Sequence, residues 1–214
     1  MCGILGMSER LPKNHSSLML SDEFQIRFKS ALSCLSHRGP DGSGIEVFPA
    51  AGVTLGHTRL SIQDLSSLGT QPMFSKDKNI AITFNGEIYN FPQLKVLLID
   101  LGYTFKSATD TEVLIYLYLE FGLEFMAKLD GIFALAIFDK VNNNLIVARD
   151  GLGVKPLYYY SDDDSFVFSS EIKAIEKLLF KKHLTLDKGS LNRYLTFQYC
   201  PGEGTPFQEI RKHN

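Results

Sequence analysis

Met1-Cys2-Gly3-Ile4-Leu5-Gly6 opens the sequence and governs how the rest is read. If Met1 is removed, Cys2 becomes terminal and carries a thiol together with a free α-amino group. An α-amino group titrates near about 7.7–8.0 and a thiol near about 8.5, so the two can exchange a proton close to neutral pH. One residue then supplies both nucleophile and base, as in the N-terminal threonine and serine–lysine variants of the catalytic triad. The apolar run behind Cys2 would bury as a strand and hold the terminus in place. The same residues equally suit a small cysteine in a buried N-terminal strand, and the rest of the chain has to decide.

A chain of 214 residues can bury a sizeable core, and 44% apolar against 21% charged residues describes a globular protein. Net charge is −2, from 22 basic and 24 acidic residues, which gives no electrostatic basis for binding nucleic acid or an anionic membrane. Three widely spaced cysteines make neither a disulfide framework nor a zinc site, so no metal is expected. No stretch reaches the roughly 18 apolar residues of a membrane span. The N-terminus lacks the basic-then-apolar layout of a signal peptide. The expected location is cytoplasmic.

Along the chain, a polar loop from Ser8 to Ser21 precedes Phe24, Phe28, Ala31, Leu32 and Leu35 at helical spacing, with Ser21 or Asp22 as cap and Cys34 within the helix. Ser36-His37-Arg38-Gly39-Pro40-Asp41-Gly42 is a shaped loop. Gly44–Phe48 and Gly52–His57 read as a hairpin, and Arg59 beyond it is either a solvated strand-edge charge or a clamp for a carboxylate. Ile80, Ile82 and Phe84 alternate as a strand that ends in Asn85-Gly86. That dipeptide is either a hairpin turn or a pair of donors for an oxyanion, the Asn85 amide and the Gly86 N–H. Helical spacing from Phe91 to Leu101, with Asn90 as cap, weakens the hairpin. Thr109 and Glu112 have capping-box spacing, so Asp110 is either a first-turn acid or a partner for an ammonium group. Gly131–Asp139 is an apolar run of the kind a strand buried on both faces shows, followed by strands at Leu145–Arg149, Lys155–Tyr160 and Phe166–Ser169. Helices follow at Glu171–Phe180 and Asp187–Phe197. The stretch 199–214 is polar and without pattern. These elements make a strand-rich α+β domain of mostly antiparallel sheets.

These motifs resemble the class II glutamine amidotransferases, whose glutaminase domains are N-terminal-nucleophile (Ntn) hydrolases. The resemblance is carried by Met1-Cys2-Gly3-Ile4, His37-Arg38-Gly39-Pro40-Asp41, His57-Thr58-Arg59-Leu60-Ser61-Ile62, Asn85-Gly86-Glu87-Ile88-Tyr89-Asn90, Thr109-Asp110-Thr111-Glu112, Leu129-Asp130-Gly131-Ile132-Phe133-Ala134 and the run from Arg149 to Tyr159. Seven such motifs stand in family order across nearly the whole chain. Thr58-Arg59-Leu60-Ser61-Ile62 with Gln71-Pro72-Met73 downstream is similar to the asparagine synthetase type. Gly151 departs from the family's usual proline or arginine.

The resemblance implies a four-layer αββα sandwich of two antiparallel sheets, with a glutaminase domain over 2–198 and, from 199 to 214, the start of a linker toward a C-terminal synthetase domain absent from this sequence. It implies Cys2 as nucleophile with its own α-amino group as base, and Asn85 and Gly86 as the oxyanion hole. Arg59 would bind the α-carboxylate of glutamine and Asp110 its α-ammonium, with Leu60, Ile62 and Glu87 lining the pocket. Glutamine would be hydrolysed to glutamate and ammonia with no cofactor. ATP and Mg would serve only the synthetase half, in cis or as a separate subunit, where aspartate is converted to asparagine. A homodimer is compatible with this reading. Two alternatives stand beside it: the same glutaminase serving a non-aspartate acceptor such as a sugar acid, and a catalytically silent regulatory module.

Overall fold

The computed structural model of the chain describes residues 1–10, 18–180 and 182–213. Part of the predicted loop from Ser8 to Ser21 lies outside the described residues. The strands are β1 (Gly3–Glu9), β2 (Gly42–Phe48), β3 (Val53–Arg59), β4 (Met73–Phe74), β5 (Ile80–Ile88), β6 (Gly131–Asp139), β7 (Asn144–Arg149), β8 (Tyr158–Ser161), β9 (Ser165–Ser169) and β10 (Ile210–Lys212). The α-helices are α1 (Asp22–Ser33), α2 (Phe91–Asp100), α3 (Asp110–Phe121), α4 (Ile172–Leu178) and α5 (Lys188–Phe197). A six-stranded sheet runs β10-β8-β9-β1-β3-β2 and a four-stranded sheet runs β4-β5-β6-β7, with every pairing between strands antiparallel.

Side-chain alternation turns these sheets into four layers, because successive residues of a strand face opposite sides. On β1, Leu5 joins Phe24, Phe28 and Leu32 of α1 and Ile175 of α4, while Ile4 faces the other way, into a layer with Leu55, Ala81 and Phe168. On β6, Phe133, Leu135 and Ile137 pack with Leu114 and Leu117 of α3, while Ala134, Ala136 and Phe138 turn into the layer between the sheets. Three apolar layers therefore separate helices, sheet, sheet and helices, the expected αββα sandwich. The unbroken apolar run of β6 has this cause: one face meets helices and the other meets a sheet.

The helices begin where capping chemistry places them. Ser21 accepts the Phe24 N–H at 3.2 Å at the start of α1, and Thr109 accepts the Glu112 N–H at the start of α3. The capping box at α3 is only half formed. Glu112 turns its carboxylate to the N–H groups of Lys106 and Ser107 instead, ordering the loop before the helix. Cys34 sits at the C-cap of α1 rather than inside it. Asn90 precedes α2 without a side-chain capping bond and instead ties Lys128 and Asp130.

Two expectations change. Strand β5 does not end at Asn85-Gly86 but continues through them, Asn85 opposite Ala134 and Gly86 opposite Phe133, so the dipeptide is not a turn. A Cβ on Gly86 would stand 2.7 Å from Phe133 Cβ, so glycine is required here for strand packing. The patternless stretch 199–214 is also not wholly a linker: β10 closes the free edge of β8, buries Ile210, and the His213 N–H donates to the Leu157 carbonyl. A three-residue strand is too short to show a period of two.

Phe138 is 1% exposed in the inter-sheet layer and its ring centroid lies 4.8 Å from that of Phe48, so truncating it would open a cavity in a packed layer. We expect Phe138→Ala to lower unfolding free energy in urea by about 3–5 kcal/mol, against under about 0.5 kcal/mol for Val141→Ala on the exposed β6–β7 turn.

Candidate active site

At one end of the inter-sheet layer a cleft of about 140 Å³ is lined by Cys2, Arg59, Leu60, Ile62, Asn85, Gly86, Glu87 and Asp110, every residue singled out from the sequence. Met1, His57, Gln63, Asp64, Gln71 and Lys155 also line it.

Cys2 immediately precedes β1. Its thiol stands beside the turn after β3: the Leu60 N–H points at Sγ at 3.4 Å, and Sγ lies 3.7 Å from the Leu60 carbonyl. The Cys2 carbonyl accepts from Arg38 Nε at 3.0 Å, and Arg38 is itself paired with Glu171 at 3.1 Å. Burial works against charge on Glu171, but hydrogen bonds from Lys173, Arg38 and His37 outweigh it and hold its carboxyl below the usual range. Gly3 is set by close approach, since a Cβ there would meet Thr58 Oγ1 at 2.7 Å and Leu35 Cβ at 2.9 Å. The sequence motif around His37 and Arg38 drew attention to this loop. Only the structure shows that Arg38 grips the main chain of Cys2.

The opposite wall is the edge of β5. Strand β4 covers only Ile82 and Ala81, so the edge beyond has to satisfy its main-chain groups with side chains. Phe133 uses its N–H and C=O on Asp150, away from β5. Gly86, opposite Phe133, therefore directs its own N–H away from β6, toward the cleft. On that edge the Phe84 N–H donates to Gln71 Oε1 at 2.6 Å and the Ile88 N–H to Asp110 Oδ2 at 3.1 Å. The Gly86 N–H lies between these two capped groups. Asn85 alternates to the inter-sheet face. It is 1% exposed, and its Nδ2 has no acceptor among the described residues. A buried amide donor left without a partner costs free energy unless a ligand supplies one.

Charge is divided across the cleft. Arg59 gives one N–H to the Ser66 carbonyl at 2.8 Å and another to the Asp64 carbonyl, fixing the loop after β3 and leaving three guanidinium donors. A Cβ on Gly69 would stand 3.0 Å from Arg59 Cζ, so the guanidinium packs against that glycine. Asp110 starts α3 beneath the cleft, and burial, assisted by the neighbouring charge of Glu87, raises its pKa to about 6 despite the Ile88 N–H. Gln63, unremarked in the sequence, bridges the acids: its amide donates to Glu87, and its Oε1 accepts the Asp110 N–H at 3.3 Å. Nothing in the local pattern singles Gln63 out, because its partners lie on other elements. Among the described residues no three His, Cys, Asp or Glu side chains converge as a metal site. No helix among them is long and apolar enough to cross a membrane.

A family model described as a glutamine amidotransferase domain matches residues 1–214. Asparagine synthetase [glutamine-hydrolyzing] 1 of Bacillus subtilis is 36% identical over 212 residues, covering 99% of this chain and 32% of that protein. A probable asparagine synthetase [glutamine-hydrolyzing] of Dictyostelium discoideum is 40% identical over 183 residues, covering 85% of this chain and 31% of that protein. The chain thus spans about a third of the length of these relatives. Among solved structures, the glutamine phosphoribosylpyrophosphate amidotransferase of B. subtilis, complexed with ADP and GMP, aligns with a TM-score of 0.64 at 26% identity, over 83% of this chain and 43% of that one.

Asp110 carries a testable sign. Its pKa of about 6 lies above the ordinary 3.8, so the folded state binds more protons between those values. The stabilisation from Asp110 is complete below about pH 4 and is lost as pH rises through about 6. Asp110→Asn should therefore melt at a higher temperature than the parent at pH 7 and lose that advantage at pH 4. Equal differences at both pH values would show that Asp110 is not held protonated by burial.

Proposed function

The chain belongs to the glutamine amidotransferase family, and from that premise we propose that Cys2, freed by removal of Met1, hydrolyses the side-chain amide of glutamine. The observation that carries the reading is the unpaired, buried Asn85 Nδ2 beside the cleft-facing Gly86 N–H, opposite the Cys2 thiol. A donor without an acceptor among the described residues, beside a main-chain N–H directed at the cleft, fits a negative charge that exists only during reaction.

The α-amino group of Cys2 takes the thiol proton, and Sγ bonds to the amide carbon of glutamine. The carbonyl oxygen becomes an oxyanion facing Asn85 Nδ2 and the Gly86 N–H. The C–N bond breaks as the ammonium of Cys2 returns a proton to the leaving nitrogen, releasing ammonia and a thioester. Water, deprotonated by the same amine, adds to the thioester carbon, and departure of Sγ with a proton yields glutamate and free Cys2. Retained Met1 would block this base. Arg59 takes the α-carboxylate with its remaining N–H donors, and Asp110 with Glu87 takes the α-ammonium. Leu60 and Ile62 line the chain between. The cationic ligand favours the charged form of Asp110, offsetting the cost of burying a carboxylate.

The ammonia would pass to a synthetase domain or subunit beyond this chain, with aspartate as acceptor and ATP and Mg bound there. The names of the relatives, three times longer than the chain, support that assignment.

The test is glutamate release from glutamine by a sample whose intact mass shows that it begins at Cys2. Cys2→Ala should abolish release, and Asn85→Ala should lower kcat by about 10²–10³ with KM little changed. Undiminished release from Cys2→Ala would refute the mechanism. Because kcat/KM reports groups of the free enzyme, it should fall as pH drops through about 6, where Asp110 becomes protonated. A kcat/KM flat across that range would remove Asp110 as the ammonium partner.

A further inference from the structure

His57 lines the cleft, and the mechanism gives it no role. It stands on β3, opposite Ile4 of β1, and so belongs to the sheet that carries Cys2. Its ring crosses the inter-sheet layer to the other wall, where Nε2 lies 3.2 Å from the Phe84 carbonyl oxygen. A carbonyl only accepts, so Nε2 holds the proton and Nδ1 holds the lone pair. The residue is 1% exposed. Burial lowers its pKa to about 4, which keeps the ring neutral and this tautomer in place at working pH.

The Phe84 carbonyl and the Asn85 nitrogen belong to one planar peptide. Holding that carbonyl fixes the plane from which Asn85 and then Gly86 project. The Phe84 N–H is held in turn by Gln71 Oε1, so both polar groups of the residue before the oxyanion donors are gripped by side chains. One further bond links the same two strands, from Thr83 Oγ1 to the Gly56 carbonyl at 3.3 Å. That tie lies a residue further from Asn85. The His57 bond is thus the tie between the sheets nearest the proposed oxyanion hole.

We propose that His57 is a positioning residue: through the Phe84 carbonyl it holds Asn85 and Gly86, on one sheet, at the distance and angle that the Cys2 thiol, on the other sheet, requires. The inference rests on the glutaminase reading for its kinetic consequence and on geometry alone for its structural one. A misplacement of about 1 Å in a reacting constellation can cost on the order of 10²-fold in rate. Arg59 and Asp110 hold the amino-acid head independently, so the loss should appear in kcat and not in KM.

The experiment compares His57→Phe, His57→Gln and His57→Asn in protein shown to begin at Cys2. Gln places an N–H near the position of Nε2, whereas Asn places its amide near Nδ1. Three quantities are read: kcat and KM for glutamine, the rate at which iodoacetamide alkylates Cys2, and the ¹⁵N–¹H shift of the Gly86 amide. His57→Phe should lower kcat by about 10² with KM and alkylation little changed and with a moved Gly86 signal. His57→Gln should recover most of both. His57→Asn should resemble Phe. The proposal is overturned if His57→Phe keeps kcat, if kcat and KM change together, or if Asn rescues where Gln does not. If the parent protein shows no Cys2-dependent glutamate release, the glutaminase reading fails by itself. The Gly86 shift then still decides the positioning claim, which an unmoved signal in His57→Phe refutes.

Discussion

A β-strand at the edge of a sheet leaves half of its main-chain groups without partners, and the site is built from that constraint. Strand β5 loses its neighbour after Ala81 and Ile82, because β4 is two residues long. The exposed edge is closed residue by residue with side chains drawn from elsewhere in the chain: Gln71 on the Phe84 N–H, His57 on the Phe84 carbonyl, Asp110 on the Ile88 N–H. The Gly86 N–H between them faces the cleft. An N–H directed at a cavity and flanked by capped neighbours is fixed in direction before any ligand arrives, which is the condition for electrostatic preorganisation.

The two sheets divide the chemistry. The six-stranded sheet delivers Cys2 and Arg59, and the four-stranded sheet with α3 delivers Asn85, Gly86, Glu87 and Asp110. The relative position of the two halves depends on the layer between them, where Ala134 stands opposite Asn85 and Ala136 opposite Thr83. Small residues let the sheets approach, and Ile4, Phe138 and Phe168 set the spacing. The packing core and the cleft are therefore one continuous layer, apolar along its length and polar at its end.

Charge follows the same plan. The Cys2 main chain is held by Arg38, whose own charge is matched by Glu171. Gln63 links the Glu87 carboxylate to the Asp110 main-chain N–H, and among the described residues neither acid has an ion pair. Acidic groups close together and partly buried raise one another's proton affinity. A cleft with acids on one side and spare guanidinium donors on the other suits a zwitterion.

Much of this was legible in the sequence by itself. Alternation in β5, the double-faced apolar run of β6 and the caps Ser21 and Thr109 follow from local periodicity and local hydrogen bonding, which a short window contains. The eight candidate residues come from four of the motifs read in the sequence, and the structure places all eight around one cleft. Tertiary structure alone decided that Asn85-Gly86 continues a strand, since β6 supplies the partner that a turn signal does not foresee. It also decided that Ile210–Lys212 completes a sheet, that Glu112 serves a loop instead of its own helix end, and that Arg38, His57, Gln63 and Gln71 hold the site. Each of these depends on a partner between five and 54 residues away, and no pattern along the chain encodes which distant group will be left needing a bond.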